Sequence, residues 1–442
     1  MLSTSWWNKG YIRITCLGIC DDFTTVEDIE KCGEGKNMRP LRIAMFGHKH
    51  YPSREGGIEV VVQELSSRMA KLGHHVTCYN RGGHHVSGKE FDGKKLNEYE
   101  GVTLKTVPTI NKKGLAAVSS SFFAALACAV GPYDVVHIHA EGPAAMSWLP
   151  KLFGKRVVVT IHGLDHQRGK KWGKLARKYI LEGEKNAVRY ADKIIVLSRG
   201  VQKYFADTYG RDTVFIPNGV DRPRILPANL IRERYGLEKN GYFLFLGRLV
   251  PEKGIQYLID AFKKINTEKK LVIAGGSSDS DGFMQAITRL TADDPRIIFT
   301  GFVQGQMLAE LYSNAYVYCL PSDLEGMPLS LLEAMSYGNC CLTSDIAECT
   351  EVVEDKAITF ARGDCEALKE VLQKLCNHPE MVEHYKTNAA DYICQKYNWD
   401  TVTQQTLAQY IEEKAHERTL WRNRCPANSG LHRDYDDAPA SK

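Results

Sequence analysis

The sequence predicts an α/β protein made of two doubly wound, Rossmann-like domains that face a central crevice. Three observations lead there. Short β-branched runs alternate with helical patterns from Leu41 onward, the alternation breaks once at "VDRPRILPANL", and it then restarts in the same style. At 442 residues the chain also exceeds what one ordinary hydrophobic core supports.

In the first half the expected strands lie at 42–47, 75–80, 102–108, 134–139, 156–163, 193–198 and 213–219, with helical spacing between most of them, as over 58–72 and 172–190. Pro223 and Pro227 then interrupt both periodicities, which places a hinge near residue 222. Beyond it, "YFLFLGRL", "KLVIAGG", "RIIFTGFV", "AYVYCLPS" and "CCLTSD" read as strands, separated by helices such as 255–265 and 307–314. The domains are therefore expected at 38–222 and 223–397, with a helix over 398–415 completing the first. Residues 1–37 are expected to be an extension with no structural role, because "MRPLRIAMFGH" reads as the natural start of a folded chain, and 416–442 a flexible tail. In doubly wound sheets ligands sit outside the carboxyl ends of the strands, so a substrate crevice should open between the halves.

Composition excludes several classes. With 43% hydrophobic and 25% charged residues the bulk of the chain reads as an ordinary soluble protein. The net charge is only +4, yet between Lys151 and Arg211 fifteen Lys and Arg face five Asp and Glu, so one face of the first half is basic. That excess lacks a recognition module, so no nucleic-acid partner is expected. Thirteen cysteines, odd in number and without a C-x-x-C pair, point to a reducing cytoplasm, and the adjacent Cys340 and Cys341 read as small core residues. No apolar run approaches the ~18 residues that would span a bilayer.

The chemistry concentrates in "EGMPLSLLEAMSYG", Glu325 to Gly338. Proline is tolerated in a helix's first turn, so the helix should begin near Pro328, leaving Glu325 in the preceding loop and Glu333 inside the helix. Free N–H groups at such a helix start suit a phosphate, and Gly326 would let it approach the main chain. One acid could hold sugar hydroxyls and the other those of a ribose; a helix cap and a solvated glutamate would account for either acid alone. A second stretch, "FLGRLVPEKG", places Arg248 and Lys253 between a strand and a helix. Two fixed cations there would stabilise the charge that develops on a departing diphosphate, although a solvated basic turn is the plainer reading of such a pair in isolation. In "SREGGIEVVVQEL", Gly56 and Gly57 separate the first strand from its helix; the absence of G-x-G-x-x-G there counts against a nicotinamide or flavin dinucleotide.

With these residues assembled, the chain resembles the retaining family 4, or group 1, glycosyltransferases of the GT-B fold over about Met38 to Glu413. The ordered set carries the resemblance: the early glycine pair, "IPNGVD", "GRLVPEKG" and the Glu325 to Glu333 spacing. It implies transfer of a sugar, with retention, from a nucleoside-diphosphate sugar bound by the second domain to a glycan or lipid-linked acceptor bound by the first, in bacterial surface polysaccharide synthesis. It implies that Arg248 and Lys253 grip the diphosphate, Glu333 the ribose, Glu325 the transferred sugar, and the main chain of Gly326, Met327, Pro328 and Leu329 the phosphate and sugar. It sets Phe302 and Val303 near the base and Gly56 and Gly57 on the donor side. No cofactor and no metal are expected: Asp279-Ser280-Asp281 reads as a loop, and Asp434-Tyr435-Asp436 lies in the tail. His139 and His162, at the ends of two predicted strands, are the acceptor-side candidates, His139 foremost and as a catalytic residue. As a metal set the histidines fail for want of a third ligand at sensible spacing. The alternatives are a sugar-nucleotide epimerase and a non-catalytic sugar-nucleotide-binding protein on the same scaffold.

One more stretch, "HQRGKKWGKLARKYI", puts Trp172, Leu175, Ala176, Tyr179 and Ile180 at helical spacing among Lys170, Lys171, Lys174, Arg177 and Lys178. Either this face meets an anionic membrane from the cytoplasmic side, or the apolar stripe faces the core and the lysines are solvated.

Overall fold

The computed structural model describes residues 39–83, 96–112, 114–167, 173–276 and 281–411. The expectations for 1–37, 416–442, Asp279-Ser280 and Asp434-Tyr435-Asp436 fall outside them. The first domain is an eight-stranded sheet in the order β3-β4-β2-β1-β5-β6-β7-β8. Its strands are β1 Arg42–Phe46, β2 His75–Arg81, β3 Glu98–Tyr99, β4 Val102–Val107, β5 Val135–His139, β6 Arg156–Ile161, β7 Lys193–Val196 and β8 Val214–Phe215. All pair in parallel except β3 with β4. Around them lie α1 Gly57–Lys71, α2 Leu115–Val130, α3 Glu141–Ala144, α4 Trp148–Leu152, α5 Lys174–Tyr190 and α6 Arg199–Tyr209.

After α7, Leu230–Tyr235, the second domain winds a six-stranded parallel sheet in the order β11-β10-β9-β12-β13-β14. Its strands are β9 Tyr242–Leu246, β10 Lys270–Ala274, β11 Ile297–Gly301, β12 Val317–Leu320, β13 Cys340–Ser344 and β14 Ile358–Phe360. Helices α8 Ile255–Lys263, α9 Asp281–Leu290, α10 Gly305–Asn314, α11 Leu329–Ser336, α12 Ala347–Val353, α13 Cys365–Asn377 and α14 Pro379–Lys396 connect and flank them.

Central parallel strands are covered on both faces, so their sequences run apolar without alternation. Tyr242, Phe243, Leu244 and Phe245 of β9 are all fully buried, as is every residue of β5. Cys340 and Cys341 are fully buried in the second core, and the nine described cysteines are free. Two strands were not visible in the sequence: β3 and β14 have two and three residues, too few to show a period. The run at 213–219 forms only the two-residue β8, because the residues after it are engaged elsewhere. Asn218 bonds to Met327 and the Val220 amide donates to the Tyr397 carbonyl at 2.6 Å.

Helix α15, Trp399–Tyr410, follows the second domain in sequence but packs on the first. Asn398 caps it, its side chain accepting from the amides of Asp400 and Thr401. Trp399, Val402, Leu407 and Tyr410 share a core with Ile43, Met45, Val62 and Leu65, and the Tyr410 hydroxyl is hydrogen-bonded with His137 Nδ1 at 2.6 Å.

In both sheets the winding reverses beside the first strand, between β1 and β5 and between β9 and β12. At these switch points the loops after adjacent strands diverge and leave room for a ligand. Replacing Trp399, 3% exposed, by alanine should cost ~3–5 kcal/mol of stability, whereas Leu175→Ser, 85% exposed, should change it by less than ~0.5 kcal/mol; denaturant titration of the two variants checks this.

Candidate active site at the facing switch points

The second domain contributes two braced loops. The loop after β9 ends in a short 3-10 turn, Pro251–Lys253, and Gly254 follows with φ +64°; a β-carbon there would lie 1.9 Å from the Pro321 carbonyl oxygen. That close approach presses it against the loop after β12, where the Asp323 amide donates to the Glu252 carbonyl at 2.9 Å. The result is a desolvated ion pair. Lys253 Nζ donates to Glu325 Oε1 at 2.5 Å, the side chains being 13% and 8% exposed, and Ser322 Oγ donates to the same oxygen at 2.6 Å. Arg248, half-buried in the same loop, pairs with no carboxylate among the described residues. Phe302 and Val303 follow β11 half-buried, on the far side of β10 from β9.

Helix α11 starts at Leu329, with the Pro328 carbonyl accepting from the amides of Leu331 and Leu332. Gly326 serves a purpose different from the one its sequence context suggests. A β-carbon on it would lie 1.9 Å from the His162 carbonyl oxygen, so it admits the backbone of the first domain rather than only a ligand. Asn218 Nδ2 donates to the Met327 carbonyl at 3.2 Å, Leu329 packs on the cores of both domains, and Gly57 lies against Leu329. Gly56, in extended conformation, precedes α1 and leaves room for the Glu59 carboxylate, which accepts from the Lys49 amide at 2.9 Å.

Glu333 faces the first domain and is ion-paired with Arg54, which stands two residues before Gly56. It also accepts from the Tyr312 hydroxyl at 3.1 Å, and the Tyr312 ring stacks on Tyr337 at 5.2 Å. The Glu333 carboxylate holds Arg54 above its ordinary value. Sequence reading missed Arg54. The signal, a charged residue beside a glycine pair after the first strand, was there, but its partner lies 279 residues away.

The histidines form a row that runs from the core to the crevice. His137 Nε2 is hydrogen-bonded with Thr160 Oγ1 at 2.7 Å, the His137 and His139 rings lie tilted by 34° with centroids 4.1 Å apart, and His139 Nδ1 is hydrogen-bonded with His162 Nε2 at 3.1 Å. His139, expected to face the transferred sugar, is fully buried because both faces of the central strand β5 are covered, whereas His162 keeps exposed surface. Of the two, His139 lies in the core and His162 at its edge. Burial lowers His48 to about 4 and His137 to about 3, and holds His139 well below the ordinary range. His166 also departs from expectation. It lies beside Glu141 and Glu184, a grouping assembled from three separate elements rather than from one spacing.

Two parallel α/β domains with braced, charge-bearing loops at facing switch points define a GT-B glycosyltransferase. The chain belongs to the group 1, family 4, glycosyltransferases: residues 228–392 match the family described as glycosyl transferases group 1, and residues 55–224 the family described as glycosyltransferase family 4. It is 25% identical over 401 residues to the alpha-maltose-1-phosphate synthase of Mycolicibacterium smegmatis, covering 85% of this chain and all of that one. Among solved structures it is similar to the sucrose-phosphate synthase of Thermosynechococcus elongatus, with TM-score 0.71 and 20% identity over 87% of this chain and 100% of that one. Anabaena HepE, solved with UDP-glucose, gives TM-score 0.69 and 17% identity over 83% of this chain and 99% of that one.

The buried histidines have a consequence for stability. Their ordinary value is about 6.5, so between about pH 6.5 and 4 an unfolded chain binds protons that the fold rejects, and stability falls as pH falls through that window. His137→Gln removes one such group. The stability advantage of the wild type over this variant should shrink by on the order of 1 kcal/mol per pH unit between pH 6.5 and 4, as read from denaturation midpoints.

Proposed function

We propose that the protein transfers a hexosyl unit from a nucleoside-diphosphate sugar to a glycan or lipid-linked acceptor, with retention at the anomeric carbon and without a metal at the donor site. The observation that carries the reading is the Lys253–Glu325 pair, desolvated at the second switch point beside Arg248. A buried ion pair contributes little to stability on its own, so its position argues for a chemical use. Lys253 and Arg248 take the diphosphate and stabilise the charge that grows on the leaving oxygen. Glu325 accepts hydroxyls of the sugar, and Glu333, released from Arg54, those of the ribose. Amides at 326, 327 and 329 line the phosphate, and Phe302 and Val303 the base. On this reading the departing phosphate takes the acceptor proton on the same face of the sugar, so no enzyme nucleophile is required. The likeness to HepE, solved with UDP-glucose, favours a uridine donor.

A lipid-linked acceptor, and with it a role in surface polysaccharide synthesis at the inner face of the plasma membrane, is supported by the outside of the first domain. Phe122, Phe123, Leu126 and Val130 of α2 and Trp148 and Leu152 of α4 are exposed, on helices that touch, and Leu175 is exposed on the basic helix α5. The stripe expected along α5 divides: Leu175 points outward and Ile180 is buried, while Trp172 lies outside the described residues. Exposed apolar groups beside lysines suit an anionic bilayer surface. No described helix is long and apolar enough to cross a membrane.

Nucleotide release from a panel of UDP-, GDP-, ADP- and dTDP-sugars tests the reaction. One donor should be cleaved slowly, and Glu325→Ala and Lys253→Ala should each lower the rate by ~100-fold or more; uniform inertness together with no calorimetric binding would overturn the reading. Flotation with liposomes should recover the protein with anionic but not neutral vesicles, and Phe122→Ser with Leu126→Ser should abolish recovery.

A further inference from the structure

Behind the crevice wall lies a second polar cluster that the transfer reaction does not use. Glu141 opens α3 directly after β5, His166 lies in the 3-10 turn Asp165–Gln167 after β6, and Glu184 sits within α5. Their side chains are 0%, 8% and 0% exposed. One donor atom from each falls within 4.8 Å of the other two. His166 Nδ1 stands 3.2 Å from Glu184 Oε2 and 3.6 Å from Glu141 Oε1, yet none of the three atoms has a hydrogen-bond partner among the described residues.

The remaining oxygens are committed outward. Glu141 Oε2 accepts from the Asp165 amide at 2.8 Å; Glu184 Oε1 accepts from the Tyr204 hydroxyl at 2.9 Å and from the Tyr209 hydroxyl. Such outer bonds aim a ligand's free lone pair and fix its orientation. The backbone is built for the same meeting, since a β-carbon on Gly183 would lie 1.9 Å from the Glu141 carbonyl oxygen, which lets α5 press Glu184 against α3.

Two carboxylates buried without a lysine or arginine partner among the described residues are costly unless positive charge joins them. Donor atoms held about 2.0–2.1 Å from a tetrahedral ion stand about 3.3 Å apart, which brackets with the two distances observed here. One imidazole nitrogen with two carboxylate oxygens is a set that zinc accepts and manganese tolerates. We propose that Glu141, His166 and Glu184 bind one divalent transition-metal cation that ties the carboxyl ends of β5 and β6 to α5. The tie is structural. It fixes the two strand ends that carry His139 and His162 and lies in the first domain, on elements other than those that carry Lys253 and Glu325. Its competitor is a proton: burial, and then the Glu184 carboxylate, push Glu141 up to about 10.

The test uses the tag-free full-length protein. Elemental analysis after gel filtration should find about one zinc or manganese per chain, and chelator-stripped protein should rebind Zn2+ or Mn2+ in a calorimetric titration. Tyr209→Phe, which removes only an outer hydroxyl, should weaken binding by ~10-fold, and His166→Ala should abolish it. Metal should raise the unfolding temperature of the wild type and leave that of Glu141→Gln unchanged. Should His166→Ala fail to fold, the Tyr209→Phe comparison decides. The proposal is overturned if stripped wild type binds neither ion, or binds them no more tightly than Glu141→Gln, with one unfolding temperature in metal and in chelator; the cluster then holds a proton in the cation's place.

Discussion

The crevice is set by one steric contact, the Gly326 α-carbon against the His162 carbonyl oxygen. No β-carbon fits between them, so the loop before α11 and the loop after β6 meet at backbone distance. The polar bridges nearby depend on that approach. Asn218 reaches the Met327 carbonyl, and Arg54 reaches Glu333, because the chains that carry them are already close. Magnitudes give the same order of cause. Arg54 and Glu333 are 33% and 20% exposed, and a partly solvated pair contributes about 0–1 kcal/mol. That is too little to hold two domains in place, but enough to choose where a flexible arginine rests.

The two walls differ in electrostatic character. The first-domain wall is a row of imidazoles hydrogen-bonded from Thr160 and Tyr410 out to His162, in which burial keeps His137 and His139 neutral. The second-domain wall carries fixed cations on loops locked by the Gly254 contact. Charge is therefore concentrated on one side of the crevice and packing on the other. Rigidity on that side comes from burial and packing, since a charged histidine row would repel itself.

Much of the second domain was legible because fully covered parallel strands write themselves as unbroken apolar runs, as in "YFLFL" and "KLVIA". The Glu325 to Glu333 spacing was legible too, since a proline marks the helix entry between them. What stayed hidden shares one property: it depends on residues far apart in sequence. Arg54 and Glu333 belong to different domains, and Glu141, His166 and Glu184 come from three elements with no common period. Gly326 was noticed for close approach but its His162 neighbour was not foreseen, because a need for close approach does not name what approaches. The full burial of His139 was hidden for a related reason. Its place at a strand end was readable, but the cover over both faces of β5 comes from tertiary packing.

The return of α15 to the first domain has a temporal consequence. A ribosome delivers residues in order, so the second domain can close its own core while the first still lacks Trp399, Val402, Leu407 and Tyr410. The half of the molecule that is made first is finished last. Until Tyr410 arrives, His137 in the fifth strand has no hydroxyl to meet its Nδ1, and the apolar side chains of α1 that α15 covers lie open to solvent or to a chaperone. Maturation of the two domains is thus coupled by a strap of twelve residues, and a nascent chain stalled short of it carries a complete second domain beside an unfinished first.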